Sequence, residues 1–357
     1  MSVASRWHYY QRIFSAYLGR GRSQLTFWHE VPEINARATV DRLGEYYMLF
    51  REKADYAGHY DVAGIPMLDY RGAIGLQYNP IAIAQWGLAN YNRFCETGDQ
   101  DRWQKTLKAA AWLTANLEQN AHGLWVWNHH FDWEYRDTLK APWYSGLAQG
   151  QGVSLLLRVH AHSHSHAHND ATDDDGKCPY QSAAEKAFVA LTRPIAEGGV
   201  LFEDVSADND NDNDKNKDSE KDLWIEEYLV DPPTHILNGF IWALWGVLDF
   251  WLASANTSAK EVFDRGVKTL LRNLWRYDTG YWSLYEQSGH ERSRIMPKML
   301  ASPFYHRLHV VQLRVMFNLT GDGRFAAIAD RWEDYALHRS NRTRALAEKS
   351  IFKLLRY

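Results

Sequence analysis

The chain has 357 residues, 45 % of them hydrophobic and 14 % aromatic, enough apolar mass for one large core or two modest ones. Its 40 basic and 44 acidic residues give a formal charge of -4, which excludes a global positive field for nucleic acid and makes any attraction to a polyanion local. The only cysteines are Cys95 and Cys178, so neither a disulfide framework nor a cysteine-rich zinc cluster is available and packing has to hold the fold.

Met1 to Arg22 interleaves tyrosine, arginine and histidine without the continuous apolar core of a secretory signal, and reads as a mature start. With no signal peptide or membrane anchor evident, a cytoplasmic location is expected. Residues 1–63 are expected to form an N-terminal extension packing on a helical domain of 64–340, with 341–357 as a C-terminal tail. From Asn79 a helical period dominates and the segments come in pairs. The first pair is Pro80 to Phe94 and Arg102 to Gln119, the second Trp143 to about His160 and Ser182 to Glu197. Thr234 to Ala253 with Ala259 to Trp275 makes a third, and Pro303 to Leu319 with Arg324 to about His338 a fourth. In each pair the first helix is richer in apolar and small residues and the second carries the charge. That predicts an inner and an outer layer, as when helical hairpins close into a mainly α, (α/α) toroid or barrel. Ile236 to Ala253 is nearly long and apolar enough to cross a bilayer, but Asn238, Gly239 and Asp249 interrupt it and it reads as a buried core helix, with no membrane span.

After the second helix of three successive pairs comes a glycine and an aromatic stretch, Gly123-Leu-Trp-Val-Trp, Gly199-Val-Leu-Phe and Gly280-Tyr-Trp-Ser-Leu-Tyr. These are predicted as short β-hairpins at one end of the barrel, recurring at a period of roughly seventy residues. Two low-complexity insertions interrupt the pattern, at about 160–178 and 206–222. His160 to His168 alternates histidine with small residues and Asp208 to Asp222 is a run of Asp, Asn and Lys; both compositions read as solvated loops. The acidic run does not put glycine and glutamate where a calcium loop needs them.

No glycine-rich phosphate loop, nucleophile elbow or HExxH pattern is present, so no cofactor and no metal is expected. Candidate chemistry gathers instead in four clusters. Tyr78 and Gln85 belong to a segment that Pro80 opens as a helix, and are either cleft-facing or part of a capped core helix. Trp143, Tyr144 and Gln149 lie in a segment whose Gly146, Gly150 and Gly152 cost helix stability, so a close backbone approach is required; a sugar-binding wall is the functional reading. In Trp224-Ile-Glu-Glu-Tyr, strand alternation sends Glu226 and Tyr228 to one face and Glu227 to the other. Tyr305-His-Arg-Leu-His-Val-Val-Gln-Leu places His309 one helical turn from Tyr305, without the further ligands that zinc needs.

Taken in order, Tyr78 to Leu88, Trp143 to Ser154, Glu226-Glu-Tyr with its proline turn and Leu237-Asn-Gly-Phe, Tyr277-Asp-Thr-Gly and Tyr305-His-x-x-His-x-x-Gln-Leu closely resemble the C-terminal part of heparosan and heparan glucuronyl C5-epimerases. The likeness runs from about Gly64 to Tyr335, and the family's (α/α) barrel agrees with the paired helices. The β-sandwich domain that animal members carry between the segments matching Tyr78-to-Phe94 and Ala110-to-Gln119 is absent here, and no Golgi anchor is expected before the barrel. The resemblance implies catalytic positions at Glu227, Tyr228, Tyr285 and Tyr305, and conversion of D-glucuronate to L-iduronate in a heparosan-like glycan without cofactor. Where relatives place an arginine three residues after Tyr285 this chain has Ser288, and Arg292 or Arg294 is the expected replacement.

Epimerisation at C5 removes a hydrogen α to a carboxylate, so that carboxylate must be neutralised; Arg307, His306, His309 and Asn238 are candidates. Inversion also needs two acid-base groups on opposite faces. Tyrosine, with its ordinary pKa near 10, suits the donor, while Glu227 or a tyrosine beside a cation suits the base. The expected partner is an anionic polysaccharide, with a homodimer as a further expectation and no nucleic acid. Competing readings are a uronan lyase that expels the 4-oxygen, a glycoside hydrolase using a pair from Asp132, Glu134, Asp204 and Glu227, and a non-catalytic glycan-binding barrel.

Overall fold

The structure is a computed structural model, and it describes residues 27, 28, 30–70, 72–135, 137–165, 178–204, 221–287 and 298–356. The chain is mainly helical and divides into two compact units. The larger comprises Asn35–His235 and Gly239–Arg272; the smaller comprises Met1–Ile34, Ile236–Asn238 and Asn273–Tyr357.

In the larger unit a short helix α1 (Arg51–Ala54) leads into an antiparallel sheet of β1 (His59–Tyr60), β2 (Pro66–Asp69) and β3 (Leu76–Gln77). Helix α2 (Pro80–Thr97) starts where the Asn79 side chain accepts from the Ala82 amide and Pro80 occupies the first turn. It stops at Gly98, whose φ of 71° is the left-handed conformation that glycine adopts without a Cβ clash. Asp99 then caps α3 (Gln100–Ala115) through the Asp101 amide. The same punctuation recurs in the smaller unit. There α8 (Pro303–Thr320), capped by Ser302, ends at Gly321 with φ 71°, and Asp322 caps α9 (Gly323–Leu337). In both hairpins the preceding threonine, Thr97 or Thr320, accepts from the amide of the capping aspartate. The expected two-layer character holds in each: α2 is buried continuously from Pro80 to Asn92, α3 only at Thr106, Ala109, Ala110 and Leu113.

The remaining helices are α4 (Gly146–Ser165) and α5 (Pro179–Phe188), α6 (Leu237–Ser254) and α7 (Thr257–Asn273), and α10 (Arg339–Arg356). Helix α4 packs against α2 and α5. By length and composition α6 alone among the described residues is apolar enough to cross a bilayer, and 78 % of that window is buried inside the protein. Short antiparallel pairs join the helices: β4 (Glu118–Gln119) with β5 (Trp125–Val126), β6 (Trp133–Glu134) with β7 (Thr138–Leu139), and β8 (Leu201–Asp204) with β9 (Asp222–Ile225).

Several expectations change. The stretch after Gly280 forms only isolated bridges, Asp278 with Ser283 and Leu284 with Leu300, in place of a strand. The helix expected to reach Glu197 ends at Phe188 and breaks into two 3-10 turns, Val189–Thr192 and Ile195–Glu197. His160 to Ser165, expected to be loop, extends α4, and His162 packs edge-on against Trp103 and Phe94 at 4.6 and 5.0 Å. His166 to His168 and most of the Asp208-to-Asp222 run lie outside the described residues. The expected tail is helical from Arg339 and buries Ala345, Leu346 and Phe352. Within the segment 1–63, expected to pack on the helical domain, Tyr46, Tyr47, Met48 and Phe50 are buried in the larger unit's core.

The glycines of α4 answer to packing. A Cβ on Gly150 would lie 2.6 Å from the Cα of Ala243 on α6, and one on Gly246 would lie 2.3 Å from the Gly150 carbonyl oxygen. Gly152 accommodates the Trp127 ring, and Gly146 the side chain of Ile225 and the carbonyl of Glu226. Alanine normally favours a helix interior over glycine by about 1 kcal/mol, but here the obstacle is backbone and cannot rotate away. Gly150→Ala is therefore expected to destabilise the protein by about 1–3 kcal/mol, the usual cost of overpacking. A thermal melt checks this; an unchanged or raised melting temperature would mean that α4 and α6 separate freely.

Candidate active site

The candidate residues form two groups, one in each unit. In the larger unit, β9 ends at Ile225, so the strand alternation expected for Glu226, Glu227 and Tyr228 does not apply. Instead the chain turns, and the two glutamates part. The Glu226 amide donates to the Val200 carbonyl and its own carbonyl accepts from the Gly146 amide, both at 2.9 Å. Its carboxylate accepts the His235 amide at 3.1 Å and meets His235 Nδ1 at 2.5 Å. The His235 ring lies flat on Trp224, centroids 4.3 Å apart.

Glu227 is also buried but faces the first turn of α6, where a Cβ on Gly239 would fall 2.2 Å from Glu227 Oε2. Burial raises the Glu227 carboxyl pKa to about 8; the hydrogen bond from Tyr228 opposes this and the neighbouring charge of Glu226 adds to it. Glu227 is consequently a protonated acid at neutral pH. The Tyr228 ring packs on Tyr135 at 4.6 Å and on Trp143 at 5.7 Å. It borders an apolar cluster of Phe131, Leu139 and Trp143, with Tyr70 and Trp133 against it.

The other candidates of this unit are largely engaged by the protein. Gln149 is fully buried: its Oε1 accepts from the Trp127 amide and its Nε2 donates to the carbonyls of Trp125 and Ala187. It is a tie between α4 and the chain around β5, which corrects its assignment to a sugar wall. Gln85 is likewise buried and donates to Gln151 Oε1 at 2.9 Å. Trp143 stacks on His129 at 3.8 Å and donates its indole N–H to the Phe131 carbonyl. The Tyr144 hydroxyl donates to the Gly198 carbonyl at 2.8 Å. Tyr78 lies at the surface against Trp112, its hydroxyl donating to Asp61 Oδ2.

In the smaller unit, Tyr285 and Tyr305 meet edge to face with centroids 4.9 Å apart. Tyr285 is buried, fixed by its amide to the Met299 carbonyl and by its carbonyl to the Leu237 amide. Tyr305 sits in the first turn of α8, where the Ser302 cap binds its amide. Next to it and one turn on, His306 and His309 are buried in the core, which sets them apart from the expected role of neutralising a substrate carboxylate. Burial lowers the His306 pKa to about 4 and that of His309 well below its ordinary value, so both are neutral. Because the Ser283 amide donates to His306 Nδ1, that nitrogen is the acceptor and Nε2–H donates to the Trp332 carbonyl. The Ser283 hydroxyl bridges Nδ1 of both rings at 2.8 and 3.0 Å. Asn238 is buried and accepts Gln312 Nε2 on its backbone carbonyl. Arg307 is exposed on α8. Arg292 and Arg294 lie outside the described residues.

Sequence reasoning missed His235, Ser283 and Lys349. The last is on α10, donates to the Leu300 carbonyl, and has its pKa lowered to about 8 by burial against the attraction of Glu286. Position in a supposed tail hid it; the Glu226-Glu227 doublet was the available signal for a paired partner such as His235. Among the described residues no group of three or more His, Cys, Asp or Glu could hold a metal ion.

The raised Glu227 pKa has a consequence for stability. Below the ordinary value of 4.5 the carboxyl is protonated both folded and unfolded, so it contributes nothing. As pH rises from 4.5 to about 8 only the unfolded chain ionises, and the folded state is penalised progressively. Glu227→Gln is therefore expected to melt higher than the unsubstituted protein, by an amount that grows across this window to the order of a few kcal/mol and then levels off. Melts at a series of pH values check it; a gain that shrinks with rising pH would refute the assignment.

Residues 119–334 match the protein family described as D-glucuronyl C5-epimerase C-terminus. The chain is 30 % identical over 241 residues to the D-glucuronyl C5-epimerase of Caenorhabditis elegans, covering 64 % of this chain and 34 % of that protein. It is 26 % identical over 221 residues to an uncharacterized protein of Methanocaldococcus jannaschii, covering 62 % and 61 %. The match thus spans less than two thirds of either relative. Among solved structures, a family 76 glycoside hydrolase from a bovine Bacteroides thetaiotaomicron strain superposes with a TM-score of 0.44 at 11 % identity, over 70 % of this chain and 47 % of that one, too loosely to fix the fold. With the family match covering more than half of its length, this chain belongs to the D-glucuronyl C5-epimerase C-terminal family.

Proposed function

We propose that the chain is a polysaccharide uronate C5-epimerase that converts D-glucuronate to L-iduronate within a heparosan-like glycan by removing the C5 proton and returning one to the opposite face. The observation that carries this reading is the family match over residues 119–334, and Glu227, a buried carboxyl at a position that the resemblance makes catalytic, supports it because burial favours its protonated form. A uronate C5–H is barely acidic because the carbanion would form beside a negative carboxylate. A proton shared by Glu227 with a uronate oxygen cancels that charge and stabilises the enediolate as electron density moves onto the carboxyl group. Glu227 thus acts as a hydrogen-bond donor or acid, not as the base that the sequence left open.

Tyr285 and Tyr305 are assigned the C5 proton exchange, and Tyr228 the hydrogen bond that orients Glu227. Arg307, with Arg292 and Arg294, is assigned to the polyanion, and the aromatic cluster beside Tyr228 offers the flat apolar face on which a pyranose stacks. The helix pairs support the (α/α) barrel expected for the family, which is part of this proposal.

Incubation with heparosan in heavy water is expected to place deuterium at C5 and to yield iduronate, with no ultraviolet absorbance from an unsaturated product. Absorbance would indicate a lyase, and absence of exchange on heparosan and its N-sulfated form would sink the reading. Tyr285→Phe and Tyr305→Phe remove a hydroxyl and little volume, so folding should persist while turnover drops about 10²- to 10⁴-fold. Near-normal rates in both would reassign the chemistry. Since the donor is lost when Glu227 ionises, activity should also fall as pH rises through about 8.

A further inference from the structure

Glu226 is not a member of the family's catalytic set carried over above, yet it is held at several points. Its amide, its carbonyl and both carboxylate oxygens are engaged, the last two by one residue, His235. Residues 227–234 form the loop between them, so this clasp closes the loop that begins with Glu227 and Tyr228. His235 itself has φ 50°, the left-handed region that a side chain with a Cβ occupies only when its surroundings hold it there. The double contact with Glu226 and the stacking on Trp224 supply that hold.

We propose that Glu226 and His235 are a positioning pair for Glu227, fixing the loop that carries it and holding a carboxylate charge beside it. Its own segment and the first turn of α6 meet at Glu227. From its own segment come Glu226 and the Tyr228 hydroxyl. From α6, which meets it through Gly239, comes no acidic or basic side chain of the first turn. A second negative charge next to Glu226 is therefore disfavoured, which favours the protonated form of Glu227. The role assigned to Glu227 in turnover rests on the epimerase reading; the electrostatic coupling does not.

The test is an infrared carboxyl titration in which the Glu227→Gln spectrum is subtracted to isolate the Glu227 proton. In Glu226→Gln, with the double variant as its own reference, the Glu227 midpoint should fall by about one unit, and the alkaline limb of the C5-exchange rate should move down with it. A midpoint that stays or rises in a variant with an unchanged melting temperature overturns the proposal. Should Glu226→Gln fail to fold, His235→Asn keeps a residue that tolerates the left-handed conformation while removing the imidazole. The clasp on Glu226 is then lost and a displaced Glu227 midpoint is expected, whereas an unmoved one overturns the pair. Deuterium exchange at C5 is followed in parallel in the unsubstituted protein. A displaced midpoint with no exchange there would reject the epimerase reading and leave the positioning role standing.

Discussion

The larger unit is organised around one buried ion pair. Arg158 on α4 and Asp249 on α6 are 1 % and 0 % exposed and meet at 2.6 Å through Nη1 and 3.0 Å through Nη2. Taking two such charges out of water costs several kcal/mol per ion, and is tolerable only when every remaining hydrogen-bonding site is filled. Here Arg158 also donates to the carbonyls of Gly44 and Ser154, and Tyr47 donates to Asp249 at 2.7 Å. The rings of Tyr46 and Tyr47 lie 5.1 and 5.6 Å from the guanidinium. Removing one partner would strand the other charge, a loss of about 3–5 kcal/mol.

This pair and the glycine contact fix the α4–α6 crossing at two points, since Gly150 and Gly246 touch two turns and one turn away from Arg158 and Asp249 respectively. The acid site hangs on that crossing. Glu226 is bonded to the amide of Gly146 at the head of α4, and Glu227 rests on Gly239 at the head of α6. A shift of one helix along the other would pull the two glutamates out of their unlike surroundings, a histidine clasp for Glu226 and the buried contact with Gly239 for Glu227. Stability and electrostatics are therefore set by the same contact.

Much of the fold was legible in the sequence because its punctuation is local. Thr97-Gly98-Asp99 and Thr320-Gly321-Asp322 stop one helix and start the next with atoms no more than two residues away. The glycines of α4 also announced a close approach, although what approaches, the backbone of α6, is nearly a hundred residues away in the chain and invisible to local pattern. The roles of the candidate site residues were not legible in the same way. Polar residues at helix starts look alike whether they meet a substrate or a neighbouring carbonyl, and Gln149 and His306 proved to do the latter. Protonation was hidden altogether: nothing in Glu226-Glu227 tells which carboxyl meets an imidazole and which meets a glycine.

The Arg158 network has a further consequence, in time and not in space. Asp249 follows Arg158 by 91 residues and Tyr47 by 202. On a ribosome, Tyr46, Tyr47 and the arginine emerge long before the carboxylate that completes their environment, so the helices made first cannot bury Arg158 until α6 arrives. Contacts of such long sequence separation are slow to close. The nascent larger unit must wait with its aromatic N-terminal segment and part of its core exposed. The last helix but one of that unit to be synthesised, α6, is thus the element whose arrival completes the burial of Arg158.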